Sequence, residues 1–358
     1  MTRRYRIAII GAGIGAQHLD GFLAHPELFE AALICDLDRE RAQGLAAKAP
    51  ACGVGTSFDE ILARGDIDVV DICLPPSLHR EAILAALAAG KHVVCEKPLV
   101  GSLAEVDEVE QAARAAGRML LPVFQFRFGN GLGKLRRLID RGLAGTPLVA
   151  TIETHWNRGA AYYAVPWRGR RASELGGAVL GHAIHAHDLL TVALGPVRHV
   201  SARIASRVNP IETEDCAAIL FEMASGALVT SSVTLGAASE ISRLRFCFSE
   251  LTAESGLEPY RPASEPWTFT ARDPAQQRAI EAALAAWVPH EEGFARLFAL
   301  LHGALEGTGP PPVPVADARA SLELVTAVYH SAATGAAVEL PLPRDHPGYS
   351  GWLPSGKS

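Results

Sequence analysis

The sequence lacks any apolar run of the roughly 18 residues a bilayer span requires, any CxxC spacing, any basic cluster and any internal repeat. Each absence excludes a class. Without a bilayer-length run the chain is not read as a membrane protein. The six cysteines, at 35, 52, 73, 95, 216 and 247, are scattered, so neither a zinc ribbon nor a disulfide scaffold is expected. Cys35, Cys73, Cys95 and Cys247 lie in or beside apolar strand-like runs and read as buried, reduced thiols of a cytoplasmic protein. A net charge of −6 with no basic stretch excludes nucleic acid as the main partner. The start, Met1-Thr2-Arg3-Arg4 before an apolar run, superficially resembles a signal peptide. That run is only Ile7 to Ile10 and breaks at the glycines 11, 13 and 15, so a strand feeding a glycine turn is expected. What is present is an ordinary globular composition, 49% hydrophobic and 20% charged over 358 residues, long enough for two domains.

Arg6 to Ile10 reads as a buried strand, followed at once by Gly11-Ala12-Gly13-Ile14-Gly15-Ala16 and an amphipathic segment through Leu23. This is G-x-G-x-x-A between strand and helix. Gly11 permits the tight turn, Gly13 lets the backbone approach a pyrophosphate, and Ala16 stays small where helix meets strand. Amides at the helix start then face the anion. A second apolar strand, Ala31 to Asp36, ends in an acid 20 residues after Ala16. A carboxylate there accepts ribose hydroxyls and repels a 2′-phosphate, which favours NAD. Arg39 and Arg41 offset part of that repulsion, so NADP stays open. Asp36 also fits a helix N-cap.

The alternation continues with a helix at 58–63, a strand at Val69 to Leu74 and a turn Pro75-Pro76-Ser77-Leu78-His79. A helix at 80–89 leads to the run His92-Val93-Val94-Cys95, which stops at Glu96-Lys97-Pro98. Proline removes a backbone donor and ends the strand. Ligands of open parallel sheets bind beyond the carboxyl ends of the strands, so Lys97 is delivered to the ligand edge. A helix at 103–116 and a strand at 120–124 complete a doubly wound α/β pattern, with Pro122 expected near a sheet edge. Beyond residue 124 come a helix at 132–141 and longer alternating strands at 148–155, 199–206, 217–223, 228–234 and 241–248. They predict a mostly antiparallel sheet, with helices at 181–194, 276–287, 294–305 and 316–331. The domain reading is 1–124 for a Rossmann domain and 125–342 for an α+β domain, with a Pro/Gly-rich tail at 343–358.

The ordered set Gly11 to Ala16, Asp36, Pro75 to His79, Glu96-Lys97-Pro98, Gln125 to Phe128, Gly176-Gly177 and His185-Ala186-His187-Asp188 resembles the Gfo/Idh/MocA oxidoreductases (glucose-fructose oxidoreductase, inositol dehydrogenase). The resemblance runs from Ile7 to about Leu342. It implies a Rossmann domain followed by an α+β domain with an open sheet, a cis Lys97–Pro98 bond, and homodimers or homotetramers formed through that sheet. It also implies dinucleotide contacts from Gly11, Gly13, Ile14, Gly15, Ala16, Asp36, Leu74, Pro75, Pro76, His79, Glu96, Lys97 and Gln125. One departure matters. Many members carry Asp four residues before the histidine matching His185, and this chain has Gly181, with His182 beside it.

Oxidising a carbinol requires hydride transfer and loss of the hydroxyl proton. Histidine, with an unperturbed pKa of about 6.5, suits the base role. An ammonium stabilises a developing alkoxide. His185 is therefore expected as general acid/base and Lys97 as the group polarising the hydroxyl, with His182 sharing the proton or binding substrate. Glu96 either positions Lys97 or meets the nicotinamide ribose. His182, His185 and Asp188 fall near one helical face, but a bare HxxH is weak and hydride transfer needs no metal, so none is expected. His18 reads as structural, His187 as solvated or helix-facing, and Asp188 as a helix anchor. The segment 156–169 supplies aromatic faces and donors for a sugar: Arg158, Tyr163, Trp167 and Arg168, with Arg127 beyond the last Rossmann strand. An interdomain salt bridge fits Arg127 equally. The expected activity is an NAD(P)-dependent dehydrogenase of a secondary hydroxyl or hemiacetal in a sugar, cyclitol or glycoside. Its rivals are a non-catalytic NAD-bound sensor and a reductase of a non-carbohydrate ketone or dihydrodiol.

Overall fold

The computed structural model describes residues 3–352. The chain divides into two compact units, 1–125 with 293–319, and 126–292 with 320–358.

In the first unit six parallel strands, β1 (Tyr5–Ile10), β2 (Phe29–Cys35), β3 (Gly53–Gly55), β4 (Val69–Ile72), β5 (His92–Cys95) and β6 (Leu120–Pro122), lie in the order β3-β2-β1-β4-β5-β6. The strand order reverses between β1 and β4, where the two halves part and a ligand of such a sheet binds. Ile7, Ile9, Val69, Ile72, Val93 and Val94 are buried, as strands covered on both faces must be. Pro122 closes β6 at the sheet edge, as expected. The Lys97–Pro98 bond is cis. Two elements carried no readable period. β3 is a three-residue Gly-Val-Gly strand, and the helix Arg39–Ala46 turns only Ala42, Leu45 and Ala46 inward.

Residues 293–319 belong to this first unit, where a single break at 124 had been expected. The reason is aromatic packing on the helix Gly15–Leu23. Phe22 stacks on Phe298 with centroids 3.8 Å apart, and a Cβ at Gly21 would stand 2.7 Å from the Phe294 Cβ. Only a glycine lets the two helices close to that distance.

In the second unit an eight-stranded sheet comprises β7 (Pro147–Asn157), β8 (Val197–Ala205), β9 (Cys216–Met223), β10 (Leu228–Thr234), β11 (Gly236–Phe248), β12 (Leu251–Ser255), β13 (Trp267–Ala271) and β14 (Val338–Glu339). Its order is β13-β12-β11-β7-β10-β9-β8-β14. Only the β10–β7 pairing is parallel, so the sheet is mixed and mostly antiparallel. β12 and β13 escaped the sequence reading although both alternate, Leu-Thr-Ala-Glu-Ser and Trp-Thr-Phe-Thr-Ala; each is only five residues long. One face is apolar and covered: Ile219, Phe221, Val229 and Val233 are buried. The helix Ile184–Leu194 lies against it, with His187 on Ser231 and Phe221. The other face exposes Leu220 and Leu228. The tail is ordered as far as described: Tyr349 is buried and the Trp352 indole donates to the Leu175 carbonyl at 2.8 Å. Among the described residues no helix is long and apolar enough to cross a membrane.

Candidate active site

The glycine turn of the first unit is built for a close approach. Gly11 has φ +97°, and a Cβ there would fall 2.3 Å from the Cys73 carbonyl oxygen. A Cβ on Gly13 meets nothing within 4 Å, leaving its backbone open to an anion. The tight helix-to-strand contact falls at Gly15, whose Cβ would stand 2.9 Å from Ile9 Cγ2, rather than at half-buried Ala16. The helix starts at Gly15, so that residue is the one pressed on β1.

Asp36 follows β2 and is 6% exposed. Its Oδ2 accepts the Ala12 amide at 2.7 Å, and its Oδ1 accepts the Asp38 amide at 2.9 Å and the Arg41 guanidinium at 2.6 Å. Burial alone raises this carboxyl; the bonds from Arg41, Ala12 and Asp38 outweigh it and hold it below its ordinary range. The N-cap of the helix Arg39–Ala46 is Asp38, which accepts the Arg41 amide at 3.1 Å. Asp36 is thus released from the capping role and stands beside the glycine turn. Leu74, Pro75 and Pro76 follow β4 and are half-buried. Gln125 is 8% exposed with a buried Oε1 that accepts no hydrogen bond among the described residues. Open Gly13, the Asp36 carboxylate and this orphaned acceptor fit a dinucleotide on the carboxyl edge of the sheet.

His79, which reads as structural with a weaker case for closing over the cofactor, is wholly buried, with Nδ1 2.8 Å from the Pro98 carbonyl and Nε2 2.8 Å from the Leu74 carbonyl. Burial lowers its pKa, so the ring is neutral and donates to one of these two carbonyls while lying against the other. Lys97 is half-buried two residues past β5, and its amide donates to Glu96 Oε2 at 3.1 Å. The other oxygen, Glu96 Oε1, lies 3.0 Å from His18 Nε2, and His18 Nδ1 lies 3.0 and 2.9 Å from the two Asp71 oxygens. His18 and Asp71 have no exposed surface. Burial opposes charge on His18, but the Asp71 carboxylate holds the imidazole well above its ordinary value. Burial likewise raises Glu96, and His18 outweighs it to hold the carboxyl low. Donor atoms of His18, Asp71 and Cys73 all lie within 4.8 Å of one another. Both imidazole nitrogens are taken up by carboxylates, so this is a hydrogen-bonded cluster rather than an ion cage.

In the second unit the segment expected as one helix over 181–194 opens with a π turn, Val179–Ala183, before the α-helix Ile184–Leu194. Such turns concentrate at functional sites. Glu214 anchors its start: its carboxylate accepts the Gly177 amide at 3.1 and 3.0 Å, the Val179 amide at 3.0 Å and the Tyr329 hydroxyl at 2.9 Å. A Cβ on Gly177 would meet the Glu214 carbonyl oxygen at 1.9 Å, which accounts for glycine there. Glu214 was not anticipated, because no local pattern links it to a segment 35 residues away. His185 is 6% exposed and stacks on Phe126 with centroids 4.3 Å apart. A Cβ on Gly181 meets nothing within 4 Å, so the missing family aspartate is not sterically excluded. Asp188 anchors the helix as expected, and it does so through Arg127, which it binds in a bidentate pair, with Nε to Oδ2 at 2.6 Å. Arg127, expected at substrate or in an interdomain bridge, makes this pair with Asp188. His187, expected to be solvated or helix-facing, is buried against β10, 2.9 Å from Ser231 Oγ.

The aromatic segment comes together as a cluster. The Arg158 guanidinium lies 5.2 Å from the Trp156 and Tyr162 rings and 5.5 Å from Tyr260, and donates to Glu240 and to the Tyr260 hydroxyl at 2.9 Å each. Arg168 lies 3.9 Å over Tyr162 and 4.3 Å over Trp167. Arg168 donates to the Tyr162 oxygen, which lies 3.2 Å from His182 Nε2. The Tyr162 hydroxyl proton is left to donate to that nitrogen. Tyr163, expected at substrate, packs edge-on against Tyr162. Arg158 follows β7 and Tyr162 lies on the short helix Ala160–Tyr163, so no single element's period marked the pair. Tyr260 and Glu240 come from 102 and 82 residues beyond Arg158 and left no local trace either.

Comparison with known proteins agrees with this architecture. The family model described as "Oxidoreductase family, NAD-binding Rossmann fold" matches residues 5–124, and that of the "GFO/IDH/MocA C-terminal domain" matches 132–254. The chain is 30% identical over 315 residues to 1,5-anhydro-D-fructose reductase of Ensifer adhaerens, covering 82% of this chain and 87% of that protein. It is 30% identical to the uncharacterized oxidoreductase sll0816 of Synechocystis sp., over 61% of this chain and 62% of that one. The WlbA dehydrogenase of Bordetella pertussis, solved with NADH and UDP-GlcNAcA, superposes with a TM-score of 0.83 at 27% identity, covering 95% of this chain and all of that one.

Proposed function

Because the chain belongs to the Gfo/Idh/MocA family of NAD-binding oxidoreductases, we propose that it oxidises a secondary hydroxyl or hemiacetal of a sugar, cyclitol or glycoside, or runs the reverse reduction. Lys97 polarises the oxygen and His185 serves as its general acid/base. The observation that carries the reading is the carboxyl edge of the six-stranded sheet. There a glycine turn open at Gly13 stands beside a low-pKa carboxylate, Asp36, and one ammonium, Lys97, follows the end of β5.

NAD supplies the hydride acceptor. The Asp36 carboxylate orients the ribose and disfavours a 2′-phosphate, although Arg41 on the same oxygen softens that preference. The Lys97 ammonium, a strong donor, gains hydrogen-bond strength as the substrate oxygen becomes alkoxide-like. His185, held against Phe126, takes the hydroxyl proton. Arg158, Arg168 and Tyr162 present aromatic and cationic surfaces suited to a polar ring, and His182 bridges that cluster to the helix of His185. The relatives' printed names, 1,5-anhydro-D-fructose reductase and a dehydrogenase bound to UDP-GlcNAcA, point to the same substrate class. We also infer assembly as a homodimer or homotetramer through the outer face of the eight-stranded sheet, and a cytoplasmic location, which the six free cysteines suit.

The test is an absorbance assay at the NADH band with purified protein. Myo-inositol, D-glucose and UDP-GlcNAcA are offered with NAD, and 1,5-anhydro-D-fructose with NADH. Turnover of at least one supports the reading; NADH binding with no turnover of any of them points to the sensor instead.

A further inference from the structure

We propose that His18, held as an imidazolium by Asp71, is a positioning residue for Lys97, acting through Glu96. This deepens the proposed function and rests on the Lys97 role stated there.

Both ring nitrogens of His18 face carboxylate oxygens, Nδ1 at 2.9 and 3.0 Å from Asp71 and Nε2 at 3.0 Å from Glu96. Carboxylates only accept, and a neutral imidazole donates from one nitrogen only. The cluster therefore holds one proton more than a neutral histidine supplies. The two Asp71 oxygens flank Nδ1 almost equally, the arrangement of an ionised carboxylate sharing one N–H, so the extra proton sits on the ring.

A buried ionic cluster is a poor device for stability alone, since an apolar replacement of the same volume serves as well or better. This one has a directional output. The imidazolium grips one oxygen of Glu96, and the other oxygen accepts the Lys97 amide at 3.1 Å. The peptide from which the Lys97 side chain departs is thereby oriented by a group on the helix that begins at the glycine turn. On the far side the His79 ring lies 2.8 Å from the Pro98 carbonyl. The groups facing His18 are Asp71 and Cys73 from β4 and the residue just past it, Glu96 from the end of β5, and the rings of Phe294 and Phe298. Glu96 in turn senses Lys97 and His79. Burial and Asp71 push the Cys73 thiol up to about 12, so it stays neutral throughout the working range. Two carboxylates, one imidazolium and the Lys97 ammonium sum to zero, and losing the His18 proton leaves one carboxylate facing a bare ring nitrogen and the cluster with a net negative charge.

The experiment uses the intact enzyme with whichever panel substrate it turns over. His18→Gln keeps a polar side chain but cannot donate to both carboxylates. Its kcat is expected to fall about 100-fold, the scale of an ångström-sized misplacement, with KM and NADH affinity within about twofold. Asp71→Asn weakens the hold on the His18 proton, so activity is lost on the alkaline side at a lower pH than in the wild type. A merely structural role lowers the melting temperature without moving that limb. In the wild type, nitrogen-15 spectra of labelled histidine should show both His18 nitrogens protonated at pH 7.5, a readout independent of how the variants fold. Unchanged kcat in folded His18→Gln, an unmoved alkaline limb in Asp71→Asn, or a bare ring nitrogen in the wild type overturns the inference. Lys97→Ala serves as the control. If it retains full turnover, the function reading fails and takes this inference with it. If it is inactive while His18→Gln is unimpaired, only the positioning role is lost.

Discussion

Three donors meet one carboxylate at Asp36, and one of them, Arg41, is a cation 2.6 Å from the oxygen that disfavours a 2′-phosphate. The balance between NAD and NADP is therefore set by a pair rather than by the acid alone. Asp36→Ala removes the carboxylate and frees the guanidinium. NADH binding, followed by fluorescence titration, should weaken by about 10- to 100-fold, as losing hydrogen bonds to a charged group does, while the gap to NADPH narrows. A native preference for NADPH contradicts the ribose argument. Asp36 and Lys97 were legible because each sits at a strand end that local periodicity marks. Asp38, the true cap, lay two residues away in plain view but competes with Asp36 for the same role. The link from His18 to Glu96 spans 78 residues, so no spacing could reveal it. The contact of Tyr162 with Arg158 joins the end of a strand to a short helix, so no single period announced it.

The helix Ile184–Leu194 carries two histidines with opposite surroundings. His185 stacks on Phe126, whereas His187 is buried with Nδ1 lacking a hydrogen-bond partner among the described residues. Burial pushes the His187 imidazole down to about 4. The unfolded chain binds that proton near pH 6.5. Stability is therefore intact above about 6.5 and falls as pH drops through the interval down to about 4. Between pH 7 and 4.5 the loss from this one group is about 2 kcal/mol. Denaturant titrations should show wild type losing that much more than His187→Phe, which cannot titrate; equal losses contradict the buried-neutral assignment. The sequence put a helix here correctly, but its π turn was hidden, because it is set by Glu214 and Tyr329 from other elements. The strands β12 and β13 were missed for a different reason: each alternates, but over five residues only.

Over the whole molecule, alternation of short apolar runs with helices was enough to specify a doubly wound sheet in the first unit and an antiparallel-rich sheet in the second. It did not specify that 293–319 belong to the first unit, since a helix's own amphipathicity does not say which surface it covers. The outer sheet face leaves Leu220 57% and Leu228 59% exposed on neighbouring strands, an apolar surface that subunit contact would cover. Replacing both with Arg should shift the light-scattering mass towards the monomer without loss of NADH binding; an unchanged mass contradicts assembly through this face. The central claim concerns the ammonium beyond β5. It is tested most directly by steady-state turnover of Lys97→Ala alongside its NADH affinity. The account predicts that turnover falls by about 100- to 1,000-fold, the usual consequence of deleting one charge-stabilising donor, with NADH still bound. Turnover equal to the wild type in a protein that binds NADH normally contradicts it.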